Sequence, residues 1–213
     1  MPALIVSIDG TDFCGKTTIA NLLLEILREK NRNKKIVFKR TVLPSSLITG
    51  SFTKILRNSA DNISPHVFSL CYALDHLNHF EKEILPLEES KEFFVVIQER
   101  SLLSTYIYEG IIGNVDFNWL KEINKLDKNY PDLTLILKVD IDELIKRKKI
   151  ENRQFDTFET TEYLEKQSKI YYNLPSDLVK MFNVEYVDAN LAPMEVAELC
   201  AQKIQKEIEN FLK

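Results

Sequence analysis

Two periods alternate along this chain of 213 residues. Continuous apolar runs predict buried strands at Leu4–Ile8, Ile36–Phe38, Phe93–Ile97, Leu133–Val139 and Val184–Val187. Runs of this kind suit a parallel sheet covered on both faces. Between them the apolar positions fall at helical spacing. Ile19, Leu22, Leu23, Ile26 and Leu27 mark a helix over Thr17–Lys30, and further helices are predicted at Pro65–Leu85, Asp142–Lys149, Thr160–Tyr172 and Pro193–Leu212. Pro65 and Pro193 sit at helix starts, where a missing N–H costs little. The alternation predicts an α/β fold: a doubly wound, five-stranded parallel sheet with helices on both faces and ligands bound beyond the carboxyl ends of the strands. No repeat, linker or low-complexity tract divides the chain, so one domain over 1–213 is expected.

Composition narrows the partners. Hydrophobic residues are 45% and charged residues 28%, an ordinary globular balance. The net charge of -4 argues against long nucleic acid as a partner and leaves room for a local basic pocket. Cys14, Cys71 and Cys200 form no CxxC pair and are odd in number, which points to a reducing compartment. The first apolar run is too short for a signal peptide and has no basic start, and no stretch approaches a membrane span. A soluble, cytoplasmic protein without a membrane partner is expected.

The first chemistry lies between the first strand and the first helix. Gly10-Thr11-Asp12-Phe13-Cys14-Gly15-Lys16-Thr17 matches G-x-x-x-x-G-K-[ST], with Thr18 following in the first helical turn. Glycines let backbone N–H groups close around phosphates, Lys16 reaches the β- and γ-phosphates, and the Thr17 hydroxyl binds Mg²⁺. The helix N-terminus adds its dipole. The expected cofactors are ATP and Mg²⁺ on a P-loop NTPase fold. Cys14, near that N-terminus, is expected to be a lowered-pKa thiol whose modification inactivates the protein. The loop alone leaves kinase, GTPase and ATPase open. Asn124-Lys125-Leu126-Asp127 spells the guanine-reading NKxD, but it follows a helical face of Phe117, Leu120 and Ile123 rather than a strand, and is read as helix surface.

The third apolar run ends in Gln98-Glu99-Arg100-Ser101. Glu99 can hold Mg²⁺ and Arg100 can clamp phosphate oxygens. The segment from Glu99 to Gly110 resembles the D-R-Y-x-x-S-x-x-A-Y-Q of the thymidylate (dTMP) kinase family, matching at Arg100, Ser104 and Tyr108. Pro131-Asp132-Leu133-Thr134-Leu135 and Val187-Asp188-Ala189 resemble two further anchors, in the same order. The resemblance implies MgATP-dependent phosphoryl transfer to a deoxynucleoside monophosphate, with dTMP the first expectation. By position it implies that Asp12, Arg57 and Arg100 place the acceptor, that Arg40 (at the family's R-E-P), His76 and Ser104 belong to the acceptor site, that Tyr72 stacks on the acceptor base and that Tyr108 excludes a ribose 2′-OH. His76 stands where the family has a base-reading arginine, Thr41 replaces the R-E-P glutamate and Ser101 replaces a tyrosine. His76, His79 and Asp75 on one helix face make a poor zinc site.

Phosphoryl transfer depends on positioning and charge stabilisation. One branch of that family carries an arginine inside the loop, where this chain has Phe13; the other supplies it from a lid. The most basic stretch here, Lys146 to Asp156, is the expected lid (about 146–160), with Arg147 and Arg153 its first catalytic candidates and Lys149 a lesser one. Asp156 and Glu159 match lid acids of the family. A homodimer packed through Pro65–Leu85 and Ser104–Ile112 is also implied. Two rivals remain: a deoxynucleoside kinase of the same fold, using Asp12 or Glu99 as a base, and a non-catalytic ATP-binding regulatory module.

Overall fold

The computed structural model describes residues 3–59, 63–150 and 160–212. Five strands form one parallel sheet in the order β2-β3-β1-β4-β5: β1 Leu4–Asp9, β2 Ile36–Val42, β3 Phe93–Glu99, β4 Leu133–Lys138 and β5 Val184–Asp188. Strand β2 runs four residues beyond its apolar run. It is an edge strand, where Lys39 and Arg40 keep contact with solvent.

Alternate residues of each strand feed opposite faces. On one face Leu4, Val6 and Ile8 of β1 pack with Val95, Ile97, Leu135 and Leu137 against α1 (Lys16–Lys30) and α10 (Pro193–Phe211). On the other face Ile5 and Val96 meet Phe80 and Ile84, and Ile136 meets Leu102, Tyr106 and Phe182. The predicted helix from Pro65 is α3 (Pro65–His79), a π-helical stretch Phe80–Ile84 and α4 (Leu85–Glu88) in succession. Ser64 caps it, its hydroxyl accepting from Val67 N at 3.4 Å.

Helix α2 (Ile48–Arg57) has no clear sequence signal, because Thr49, Gly50 and Thr53 are weak helix formers. It places Arg57 at its last position. After β3 the chain forms α5 (Leu102–Thr105) and a second π-helical stretch, Tyr106–Ile112. The remaining helices are α6 (Phe117–Ile123), α7 (Ile141–Ile150), α8 (Thr161–Tyr171) and α9 (Ser176–Met181). Ile8 pairs with Glu99, and Glu99 with Val42, so one level of the sheet carries the starts of three loops. No helix among the described residues is long and apolar enough to cross a membrane.

Candidate active site

The loop after β1 is shaped by two residues that only glycine suits. Gly10 has φ 139° and Gly15 φ 96°. A Cβ on Gly10 would stand 2.9 Å from Cys14 Sγ and 3.0 Å from Leu137 O, so the loop lies directly over β4. Phe13 also takes positive φ, 65°, a strained setting for a bulky side chain. Asp9, fully buried, anchors the loop from below: it accepts from Gly10 N at 2.8 Å, from Ser104 Oγ at 3.1 Å and from Tyr171 OH at 2.8 Å. Lys16 folds over the loop, donating to Thr11 O at 2.6 Å and Gly10 O at 3.2 Å. The N-terminus of α1 has no side-chain cap, leaving its first N–H groups for an anion.

Cys14 is a correction. It is 1% exposed, and burial pushes its thiol up, with Lys16 pulling only partly against that. The lowered pKa expected from the helix terminus is not found, because desolvation disfavours the thiolate.

The carboxyl end of β3 meets this loop. Thr17 Oγ1 donates to Glu99 Oε2 at 2.6 Å. Two hard oxygen donors side by side, close to the loop, suit a magnesium ion that also takes phosphate and water oxygens. Arg40 donates through Nε at 2.6 Å, and through Nη2, to the other Glu99 oxygen. Arg40 is therefore spent on Glu99 and lines no part of the main cavity, against its expected place beside the acceptor. The turn that ends β3 holds Arg100 at φ 64°. Its guanidinium pairs with Asp12 and donates to Tyr108 OH at 3.3 Å. Burial works against the Arg100 charge, but Tyr108 and Asp12 hold it firmly protonated.

Asp12 is the electrostatic centre. Burial alone would raise its carboxyl, yet Arg100, Lys16 and Arg57 together bring it down to about 2. Arg57 Nη2 lies 3.9 Å from Asp12 Oδ2, and Gln167 Nε2 donates to the same oxygen at 3.4 Å. Two guanidinium groups and the loop lysine thus converge on one carboxylate.

Beyond this cluster opens a cavity of about 250 Å³. Arg57, Arg100, Ser104 and Tyr108 border it, with Tyr72 and His76 from α3, so all of the expected acceptor residues except Asp12 and Arg40 line its wall. Asp12 reaches that wall through its pairs with Arg57 and Arg100. Phe68 and Tyr72 lie with ring centroids 6.4 Å apart, an aromatic face one helical turn long. Burial, and then Glu109, pushes the Tyr72 phenol up to about 12. The Tyr108 phenol is raised too, chiefly by burial and then by Asp12, so both tyrosines stay neutral hydroxyls.

Several residues were not legible as site residues. Asp9 reads as the end of a strand, Gln167 and Tyr171 as the face of a distant helix, and Thr105, Glu109 and Tyr163 as unremarkable neighbours of the motifs. Only the closure of α8 over the carboxyl edge brings Tyr163 and Gln167 in. Glu109 stood within reach, one residue after Tyr108 and at the last position of the family pattern.

The lid candidates divide. Arg147 donates to Glu143 Oε1 at 3.0 Å, Cys14 O at 3.3 Å and Ala189 O at 2.9 Å, tying α7 to the loop and to the end of β5. Lys149 is on α7. Arg153, Asp156 and Glu159 lie outside the described residues. Thr18 is exposed on the first turn of α1. The NKxD segment does follow a helix, α6, and Lys125 and Leu126 are exposed as a helix surface would be, but Asn124 and Asp127 are each 2% exposed. Asn124 Nδ2 donates to Leu120 O at 2.8 Å, closing the end of α6. The carboxylate of Asp75 accepts from Ser45 Oγ at 2.5 Å and Thr49 Oγ1 at 2.7 Å, fixing the β2–α2 connection.

Comparison with known proteins bears on this arrangement. The family model described as thymidylate kinase matches residues 8–199. A probable thymidylate kinase of Pyrobaculum aerophilum is 32% identical over 204 residues, covering 94% of this chain and 96% of that protein. Probable thymidylate kinase 1 of Saccharolobus solfataricus is 30% identical, covering 96% and 98%. The thymidylate kinase of Mycoplasmopsis pulmonis is 29% identical, covering 98% and 90%. A family pattern spanning the phosphate loop, the Glu99-Arg100 turn and the last strand therefore coincides with the geometry of the cavity, and the chain belongs to the thymidylate kinase family, ATP-using phosphotransferases.

Proposed function

We propose that this chain transfers the γ-phosphoryl group of ATP to dTMP, giving dTDP and ADP. The observation that carries the reading is the convergence of Arg57 and Arg100 on Asp12, between the phosphate loop and the 250 Å³ cavity. A nucleoside monophosphate in that cavity directs its phosphate at the two guanidinium groups. A phosphate oxygen then attacks the γ-phosphorus, and the bridging oxygen leaves with ADP. The acceptor phosphate is largely ionised at neutral pH, given a second pKa of about 6, and needs no base.

Asp12 at about 2 is a poor base, so it orients Arg57 and Arg100 instead. This weakens the nucleoside-kinase alternative in the form that uses Asp12 to take a 5′-hydroxyl proton. Lys16 exchanges its loop carbonyls for phosphate oxygens. Thr17 and Glu99 would hold a magnesium ion, which would neutralise charge on the phosphates. Arg147, already against the loop, and Arg153 are the cations proposed for the transferring group. Tyr72 offers its ring to the base and Tyr108 closes the 2′ side of the sugar. We take 1–213 as one kinase domain with about 146–160 as its lid, acting in the cytoplasm, where free thiols such as these persist.

A homodimer is part of the proposal. Ile48, Phe52 and Ile55 on α2 and Val67, Leu70 and Leu74 on α3 leave two adjacent rows of exposed apolar side chains. The expected second surface, Ser104–Ile112, contributes little, since Tyr106 and Ile107 are buried in the core.

The test is steady-state kinetics of Arg57→Ala. Its KM for dTMP should rise about tenfold to a hundredfold, the worth of a charge-assisted contact. KM for ATP should change less than about threefold, within the spread of uniform binding effects. An unchanged KM for dTMP would refute the placement of the acceptor phosphate.

A further inference from the structure

One polar cluster bordering the cavity is not accounted for by phosphoryl transfer. His76, 3% exposed, borders the cavity from α3. Its Nε2 lies 3.5 Å from Thr105 Oγ1, and Thr105 borders the cavity as well. Its Nδ1 faces the other way, 3.6 Å from Asp127 Oδ2.

Asp127 is held for this contact. Its Oδ1 accepts from Asn129 N at 2.9 Å, and its backbone N–H donates to Asn124 O at 3.0 Å. Its Oδ2 is buried and has no hydrogen-bond partner among the described residues, leaving the His76 ring as the group it faces. A buried carboxylate oxygen with one side occupied and the other aimed at an imidazole fixes which ring nitrogen carries the proton. A shift of a few tenths of an ångström, of the kind ligand binding produces, closes the 3.6 Å gap to hydrogen-bond length.

We propose that Asp127 is a positioning residue for base selection: it anchors His76 Nδ1–H and so presents Nε2, beside the Thr105 hydroxyl, to the base of the acceptor nucleotide. This rests on the acceptor reading of the cavity given above. In the tautomer with Nδ1–H on Asp127, Nε2 is an acceptor, and Thr105 can supply a donor. An acceptor and a donor side by side match the ring N–H and neighbouring carbonyl of a pyrimidine imide. Cytosine presents a bare ring nitrogen in place of that N–H, which meets the fixed Nε2 lone pair. A site left with an unpaired buried group discriminates far more strongly than one that merely fits shape. The Asn124–Asp127 segment, spelling a guanine-reading motif, thus acts behind the pocket wall and touches no nucleotide.

The test is kinetics of Asp127→Ala and Asp127→Asn against the wild type, with dTMP and dCMP as acceptors. Asp127→Ala should raise KM for dTMP about tenfold or more and narrow the dTMP-to-dCMP preference, the cost of an unfixed hydrogen bond. Its kcat and KM for ATP should stay within about threefold. Asp127→Asn, which keeps an oxygen for Nδ1–H, should recover most of the loss. A ¹⁵N spectrum of the wild type should show His76 with Nδ1 protonated and Nε2 bare. The proposal is overturned by an unchanged KM for dTMP in Asp127→Ala, by an Nε2-protonated ring in the wild type, or by equal losses in kcat, ATP and acceptor parameters without rescue. If the wild type turns over another monophosphate and not dTMP, the function proposed above fails. The effect of Asp127→Ala on that acceptor's KM still decides this inference.

Discussion

Two carboxyl groups within a few residues' reach of the cavity are driven in opposite directions. Asp12 is surrounded by Arg100, Lys16 and Arg57 and falls to about 2. Glu109, 7% exposed on the same wall, is raised from 4.5 to about 8 by burial, against weaker pulls from its own backbone N–H, Arg57 and Arg100. Burial wins at Glu109, which makes no ion pair among the described residues; it is outweighed at Asp12, where Arg100 pairs with the carboxylate. The native state therefore keeps a proton on Glu109 that the unfolded chain has released above about pH 4.5. Stability tied to this group is full below that pH and is lost as pH rises through about 8. Urea midpoints at several pH values should show the wild type falling relative to Glu109→Gln between pH 5 and 8, by up to about 5 kcal/mol. Parallel pH curves for the two proteins would contradict the neutral assignment. Such shifts are invisible in a sequence, where Glu109 is one residue beyond a matched tyrosine and nothing marks it as buried.

At the scale of elements, the phosphate loop was the most legible feature, because its chemistry is local. Gly10, Gly15, Lys16 and Thr17 are needed at fixed spacing by a turn that must wrap an anion. Local spacing missed the burial of Cys14, Asn124 and Asp127, which depends on packing from β4 and α3 that no local window contains. The π-helical stretch Tyr106–Ile112 shifts the helical register just where Tyr108 and Glu109 face the cavity, so a 3.6-residue period describes that segment poorly. Helix α2 stayed hidden for want of helix formers, although it delivers Arg57 and half of the exposed apolar surface. That surface gives a prediction. Light scattering behind size exclusion should find the wild type at twice the 24.8 kDa chain mass, and Leu70→Glu with Leu74→Glu at the chain mass. A wild type that runs as a monomer at micromolar concentration would remove α2 and α3 as the interface.

On the scale of the molecule, the sheet order places the phosphate loop at the central strand and Glu99-Arg100 at its neighbour, so two motifs 80 to 90 residues apart meet at one level. Strand count and parallel direction were readable from apolar runs, since a buried parallel strand leaves little freedom in composition. What joins the halves was not: Gln167 and Tyr171 reach Asp12 and Asp9 from α8, more than 150 residues away in sequence. The proposed function requires the cavity beside the loop to take a deoxynucleoside monophosphate whose phosphate receives the phosphoryl group there. The most direct measurement is ADP release with ATP and Mg²⁺ across dTMP, dUMP, dCMP, dGMP, UMP and thymidine. Turnover led by dTMP is predicted; turnover led by thymidine, or none with any acceptor, would contradict it.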